Sequence, residues 1–285
     1  MRTLNALYYS IFLLLIITAC SNTTYVEPKD MLNKNNVITQ REFTTKDKRT
    51  HFTLHNEPGL RKEKIDKIMS EIEKSYEEII PYSNGYKWKK NIDIYLKPQN
   101  FISYSKKDKV ILYNIRGTNY QLTHELTHTL LGFGNIKKGD FNADYGYLMQ
   151  EGFAVYLAER VFPEKQVFPN NGLDVHKVMK FLLDKNKATP IKVLANNSGS
   201  PTYFNSHNQI DIWKAYVQAG SFVKYLFETY KKEQVINLYN SPNLERDFKS
   251  IIGKDIESVE NDWKSYIENN VDHLTEQDQY KVQYP

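Results

Sequence analysis

One stretch of this chain combines two histidines and a glutamate at a spacing that can do chemistry. Within the segment QLTHELTHTLLG, His124, Glu125 and His128 form the pattern H-E-x-x-H. Residues four apart on an α-helix lie one turn apart on the same face, so the two imidazoles can bind one zinc ion at about 2.0–2.1 Å each. Glu125 leaves the helix about 100° away from His124, where it can face a water on the metal instead of the metal itself.

The neighbouring residues favour a helix for this segment. Leu122, Leu126 and Leu130 recur at i, i+4 and i+8, which gives the helix an apolar stripe to bury. The pattern is short, however, and an isolated H-E-x-x-H is also found on ordinary solvated helix faces. A zinc site therefore requires a third ligand elsewhere in the chain.

The segment LMQEGFAVYLAE supplies a candidate for this third ligand. A catalytic zinc site has three protein ligands and an open fourth position for water. Glu151 follows His128 at a separation that leaves room for a turn and a second helix. Four neighbouring apolar residues can bury that helix: Phe153, Ala154, Leu157 and Ala158. Taken alone, Glu151 is equally compatible with an ordinary first-turn glutamate that the helix dipole favours.

Three segments, in this order, resemble the motifs of gluzincin metallopeptidases, most closely those of the aminopeptidase N family. HELTHTLLGFG followed by LMQEGFAVYL is similar to H-E-x-x-H … N-E-G-x-A, and AYVQAGSFVKYL resembles Y-x-x-G-x-S-x-x-x-x-L. The resemblance implies zinc bound by His124, His128 and Glu151. It also implies that Glu125 is the general acid–base residue and that Tyr216 stabilises the tetrahedral intermediate.

The same resemblance implies a fold. We expect an α+β, zincin-like metallopeptidase domain in which a small mixed sheet precedes a mostly helical C-terminal lobe. The H-E-x-x-H pattern should lie on the central helix of that domain. In gluzincins the strand before this helix is the sheet edge along which an extended substrate lies, and residues 109–115 stand at that place here.

The chain also departs from the family pattern. Gln150 stands where the family usually has Asn, and the spacing between the two zinc motifs is longer than usual. No G-x-M-E-N precedes the first motif, so the glutamate that captures a substrate's free amine has no counterpart, which favours an endopeptidase. Val155 occupies the position where thermolysin-like enzymes have a carboxylate that orients a ligand, which leaves Asp144 and Glu159 as candidates. The resemblance covers residues 91–269.

Composition limits the remaining possibilities. The chain has 285 residues, of which 40% are hydrophobic and 25% charged, as in ordinary globular proteins with a core. Its formal charge of +4 is small and dispersed, which gives no indication of a nucleic-acid partner. The 21 Tyr and 14 Phe are explained by core packing more simply than by an aromatic binding surface.

The N-terminus has the features of a targeting segment. Arg2 provides a positive start, residues 6–17 are mostly apolar, and the sequence Ile-Thr-Ala-Cys ends at Cys20. This ending resembles the lipobox of bacterial lipoproteins, which implies a signal peptide at residues 1–19 and lipidation of Cys20. The expected location is the bacterial cell envelope, with the protein lipid-anchored to the membrane and facing outward. Cys20 is the only cysteine, so a disulfide within the chain is excluded.

The rest of the chain divides into three parts. Residues 20–48 are polar, which predicts a flexible tether. Residues 49–269 are expected to form the catalytic domain, and residues 270–285 a frayed tail. Within the domain, alternation and helical periodicity predict strands at 50–55 and 91–96 and helices at 60–80, 174–183, 211–231, 243–252 and 255–268. Residues 191–209 predict an irregular crossing, in which His207 is interpreted as a surface histidine and not as a second transition-state donor.

These observations favour a membrane-anchored zinc endopeptidase that acts on a peptide or protein substrate. Two other classes stay open: a non-catalytic zinc-binding lipoprotein that binds a partner, and a metal-free adhesion or immune-interaction protein. A binding module has no need of Glu125, and all the chemical positions are present, which favours the enzyme.

Overall fold

A computed structural model describes residues 38–83, 90–106, 108–131, 147–196, 200–239 and 241–283. These residues belong to a compact unit that begins at Ile38. The predicted signal peptide, Cys20 and Asp144 lie outside the described residues. Their assignments therefore stay predictions.

Five strands among the described residues form one mixed sheet in the order β1-β2-β3-β5-β4. The outer pairs β1–β2 and β4–β5 are antiparallel, and β3 pairs in parallel with both β2 and β5. The strands are β1 Gln40–Thr44, β2 Thr50–Asn56, β3 Lys90–Leu96, β4 Tyr104–Lys106 and β5 Lys109–Leu112. In β2 and β3 alternate residues are buried, as expected for a sheet covered on one face. The prediction of a small mixed sheet is confirmed.

The predicted tether at residues 20–48 is wrong over its last part, because β1 lies within it. Gln40–Thr44 pairs in register with His51–His55, and the ring of Phe43 stacks on that of Phe52 at a centroid distance of 5.1 Å. Most of β1 is exposed, so its composition resembles that of a solvated linker. One aromatic side chain and backbone pairing nevertheless place it in the sheet.

The edge of the sheet also differs from the expectation. Residues 109–115 were expected to form the edge, but β5 lies between β3 and β4. The chain makes a hairpin in which Lys106 pairs with Lys109, so β4 covers the exposed side of β5 and becomes the edge strand itself.

Helices make up most of the remaining described residues. They are α1 Lys62–Ile79, α2 Leu122–Leu131, α3 Tyr147–Val161, α4 Val175–Asp184, α5 Ile191–Ala195, α6 Ser200–Phe204, α7 Gln209–Thr229, α8 Lys232–Leu238, α9 Leu244–Asp247, α10 Ile256–Asn270 and α11 Glu276–Gln283. A π-helical turn at Phe248–Ile252 continues α9. Asp174, Asn208 and Asp255 cap α4, α7 and α10 by accepting hydrogen bonds from first-turn amides. None of these helices combines the length and apolarity that a membrane span requires.

Two segments that were predicted to be irregular contain helices among their described residues. The crossing at 191–209 contains the short helices α5 and α6, each of which buries apolar residues such as Leu194 and Phe204. The predicted frayed tail at 270–285 is wrong for Glu276–Gln283, which form α11, and Leu274 and Val282 are buried in the core. Two apolar side chains in a polar segment are too few for a periodic pattern but enough to dock a helix.

Hydrogen bonds to helix α1 hold α2 and the residues just before it in place. Ser75 Oγ lies 2.8 Å from Thr123 Oγ1, and Tyr120 donates a 2.6 Å hydrogen bond to Glu71, which also binds Lys165 Nζ at 2.7 Å. Every residue of α2 is buried. The H-E-x-x-H pattern therefore does not lie on a solvated helix face.

The helices α3 and α7 approach each other closely because small residues face the contact. A Cβ atom at Gly152 would lie 2.5 Å from Val223 Cγ2 and 2.6 Å from the Ala219 carbonyl oxygen. A Cβ at Gly220 would lie 2.3 Å from Val155 Cγ1. Both contacts are far shorter than van der Waals separation, so glycine is required at these positions. This packing fixes α3, which carries Glu151, against α7, which carries Tyr216.

Candidate metal centre

Three side chains from two helices converge at one point. On α2, His124 Nε2 and His128 Nε2 are 3.3 Å apart. From α3, Glu151 Oε2 lies 3.2 Å from His124 Nε2 and 3.3 Å from His128 Nε2. All three side chains are buried, and together they form a group that could hold one metal ion.

The size and chemistry of this group fit zinc. Around a tetrahedral ion with bonds of about 2.0–2.1 Å, neighbouring ligand atoms lie about 3.3–3.4 Å apart. The three edges of the donor triangle, 3.2, 3.3 and 3.3 Å, have this length. Two imidazoles and one carboxylate are also a donor set that catalytic zinc sites use. A fourth position then stays open for water or substrate.

Charges within the group favour the ionised forms of Glu151 and His128. Burial opposes ionisation of Glu151, but positive charge on His128 and hydrogen bonds from both imidazoles hold the pKa of this carboxyl well below its usual range. Burial lowers the pKa of His128, yet the charge of Glu151 outweighs it and the net direction is upward. The carboxylate is thus ionised, as a metal ion requires of this ligand, and a metal ion that binds here must displace the proton that Glu151 favours on His128.

Glu125 lies beside this group on α2 and is buried. Burial raises the pKa of its carboxyl above the ordinary value, while the nearby imidazoles and Ser105 partly oppose that rise. Ser105 Oγ donates a 2.9 Å hydrogen bond to Glu125 Oε2. Sequence analysis missed Ser105, because nothing in the local pattern of β4 indicates which helix residue it will meet.

Tyr216 reaches the site from α7. Its ring lies 6.0 Å from that of His124, with 27° between the planes, and it also packs against Phe168 and Phe204 at 5.1 and 5.4 Å. Burial, and then the charges of nearby carboxylates, raise the pKa of the Tyr216 phenol well above its ordinary value. The phenol therefore keeps its proton and can act as a hydrogen-bond donor.

Tyr147 is a second tyrosine near the site that sequence analysis did not single out. It begins α3 one turn before Glu151, so both side chains lie on the same face of that helix. Its hydroxyl accepts a 2.8 Å hydrogen bond from Asn205 Nδ2. The i, i+4 spacing to Glu151 was the available signal in the sequence.

Glu159 and His207, which were considered as further residues of the site, do not contact the ligand imidazoles in the structure. Glu159 accepts hydrogen bonds from Lys224 and Asn170, both at 2.7 Å, and so it connects α3 to α7 and to the loop between α3 and α4. It is thus engaged away from the ligand imidazoles, and Nδ1 of His124 is buried without a hydrogen-bond partner among the described residues. His207 is exposed, in agreement with its interpretation as a surface histidine.

No family model matches this sequence, and no curated protein matches it either. Solved structures with a similar fold include two from Deinococcus radiodurans. They are M1 zinc metallopeptidases. The Deinococcus radiodurans enzyme shares 14% identity over 79% of this chain and 51% of its own, with a TM-score of 0.46. A mutant form from the same organism shares 12% identity over 82% of this chain and 53% of its own, with a TM-score of 0.44. This chain thus spans about half the length of both structures.

Proposed function

We propose that this chain is a zinc-dependent metallopeptidase, and that it acts as an endopeptidase. The observation that supports this function most strongly is the buried triangle of His124, His128 and Glu151, whose edges of 3.2–3.3 Å match a tetrahedral zinc site. Glu125 lies next to this triangle without belonging to it. A general base occupies this relation to a catalytic metal.

Each residue then has a distinct task. When bound, zinc supplies a Lewis acid that polarises the scissile carbonyl and lowers the pKa of water towards neutrality. Glu125 accepts a proton from the attacking water on a carboxylate oxygen and delivers it to the leaving amine, a step worth typically 10²–10⁴-fold. A raised pKa makes the Glu125 carboxylate a stronger base than an exposed one. Tyr216 donates a hydrogen bond to the carbonyl oxygen as negative charge develops there.

The substrate range and location are part of the same proposal. The missing G-x-M-E-N segment supports cleavage within a chain over removal of an N-terminal residue. The Ile-Thr-Ala-Cys ending at Cys20 supports a lipid anchor that holds the peptidase at the outer face of a bacterial membrane.

The decisive experiment combines metal analysis with turnover. Wild type purified without chelator should contain about one zinc per chain, and Glu151→Ala should lose it because only two ligands remain. Glu125→Gln and Tyr216→Phe should keep their zinc, because neither side chain belongs to the triangle. Hydrolysis of casein or a peptide library should fall about 10²–10⁴-fold in Glu125→Gln and about 10²–10³-fold in Tyr216→Phe, with the first loss larger.

Three results would contradict the proposal in different ways. Wild type without zinc would support the metal-free adhesion class. Zinc-loaded wild type that cleaves nothing in a broad library would support the non-catalytic scaffold. Equal cleavage by wild type and Glu125→Gln would show that the chemistry assigned to Glu125 is wrong.

A further inference from the structure

The edge strand β4 carries a side chain that contacts the proposed general base. Ser105 is the middle residue of β4, and it pairs in register with Val110, which is buried on the helix-covered side of the sheet. Neighbours across a sheet share a face, so Ser105 points towards the same side, while Tyr104 and Lys106 point to the other. This orientation brings Ser105 Oγ to 2.9 Å from Glu125 Oε2.

This contact restricts a side chain that is otherwise flexible. Glu125 has three rotatable bonds between the backbone and its carboxylate, and the helix fixes only where the side chain starts. Among the described residues, Ser105 Oγ is the only hydrogen-bond donor to that carboxylate. A hydrogen bond to an ionised carboxylate is about twice as strong as one between neutral groups. The direction of the Glu125 carboxylate is therefore set by the sheet edge and not by α2 alone.

We propose that Ser105 is a positioning residue, whose hydroxyl holds one carboxylate oxygen of Glu125 so that the other can accept the proton of the attacking water. This inference rests on the proposed peptidase function for its catalytic meaning. The hydrogen bond itself is a separate matter that can be tested without turnover.

Ser103 provides a matched control within the same segment. It lies two residues before Ser105 and is buried, and its Oγ accepts a 3.2 Å hydrogen bond from the backbone N–H of Tyr113. Ser103→Ala therefore removes one hydroxyl and one hydrogen bond from the same region without removing a partner of Glu125. Ser105→Thr is the conservative variant, because it keeps the hydroxyl.

The first measurement is a high-resolution crystal structure of wild type and of each variant. The Glu125 carboxylate should occupy a single position in wild type, Ser103→Ala and Ser105→Thr. In Ser105→Ala it should occupy two or more positions or move from the wild-type one. An unchanged, fully ordered Glu125 in Ser105→Ala would overturn the inference, whatever the protein's activity.

The second measurement is steady-state kinetics on the zinc-loaded proteins. Ser105→Ala should lower kcat about tenfold, equivalent to about 1.4 kcal/mol, because the general base is no longer held in its reactive orientation. KM should change less than about twofold, since Ser105 orients the base without holding substrate. Ser105→Thr should recover most of kcat, and Ser103→Ala should resemble wild type.

A double variant shows whether Ser105 acts through Glu125. Adding Ser105→Ala to Glu125→Gln should cause no further loss, since the base that Ser105 orients is already absent. A tenfold further loss in that background, or a wild-type kcat in Ser105→Ala alone, would refute the positioning role while the peptidase function stands. A wild type that cleaves nothing would instead refute the peptidase function, and the crystal structures would still decide whether Ser105 holds Glu125.

Discussion

The close packing of α3 against α7 leads to a prediction about which substitutions the site tolerates. Gly152→Ala places a methyl group 2.5 Å from Val223 Cγ2 and 2.6 Å from the Ala219 carbonyl oxygen. Ordinary contacts of this kind are about 3.5 Å or longer, so α7 must move by roughly 0.9 Å. A change of rotamer cannot relieve the contact with Ala219, because the atom belongs to the backbone.

The size of the effect follows from two opposing terms. Inserting a methyl group into a well-packed core costs about 1–3 kcal/mol, whereas alanine is favoured over glycine in a helix by about 1 kcal/mol. The contact with the Ala219 backbone places the cost in the upper half of that range, about 2–3 kcal/mol. Gly152→Ala should therefore lower the free energy of unfolding by about 1–2 kcal/mol, or Tm by about 2–8 °C. Because Glu151 precedes Gly152, the shift also moves a ligand relative to Tyr216, and a misplacement of 1 Å can cost about 10²-fold in turnover.

Gly220→Ala offers the matched comparison. Its added methyl group would lie 2.3 Å from Val155 Cγ1 and 2.9 Å from Val155 Cβ, both in a side chain. Val155→Ala should therefore relieve most of the strain of Gly220→Ala, with a favourable coupling energy of about 1–2 kcal/mol in a double-mutant cycle. Val223→Ala should relieve Gly152→Ala less, because the Ala219 oxygen remains.

The assay is urea unfolding of these single and double variants in the presence of a chelator, which removes any contribution of bound metal to stability. Zinc content and turnover are then measured on the reloaded proteins. If Gly152→Ala is as stable as wild type, or if Val223→Ala rescues it as fully as Val155→Ala rescues Gly220→Ala, then the close approach of α3 and α7 is wrong.

Two further predictions concern pH and location. Burial opposes ionisation of Asp174, but the hydrogen bond and charge of Lys224 prevail and hold the pKa of this carboxyl below the ordinary value. The contribution of Asp174 to stability is therefore complete above about pH 4 and decreases as pH falls through the lower pKa of the folded state. The stability difference between wild type and Asp174→Asn, from urea unfolding, should accordingly be constant between about pH 5 and 7 and shrink below about pH 4; a difference that grows on acidification would contradict this sign. Cys20→Ala should block acylation and release the protein from the membrane fraction or stall its processing, and unchanged membrane attachment with unchanged incorporation of labelled palmitate would overturn the lipid anchor.

The sequence alone was sufficient for features that depend on short separations along the chain. His124 and His128 share a helix face because their spacing is one helical turn, whatever surrounds them. The helix caps at Asp174 and Asn208 are equally local, although sequence analysis did not single them out, since each side chain accepts hydrogen bonds from amides within the next three residues. The main strands and long helices were predicted close to their observed bounds for the same reason.

Tertiary structure alone decided the features that depend on residues distant in sequence. The polar residues of β1 and α11 gave no periodic signal, yet Phe43 and Val282 dock on the core that the rest of the chain builds. The hairpin of β4 and β5 determined which strand forms the sheet edge, and thereby which side chain reaches Glu125. The three metal-binding atoms come together only because α3 packs on α2 and α7. That packing depends on the shapes of many side chains together, which the spacing within one motif does not encode.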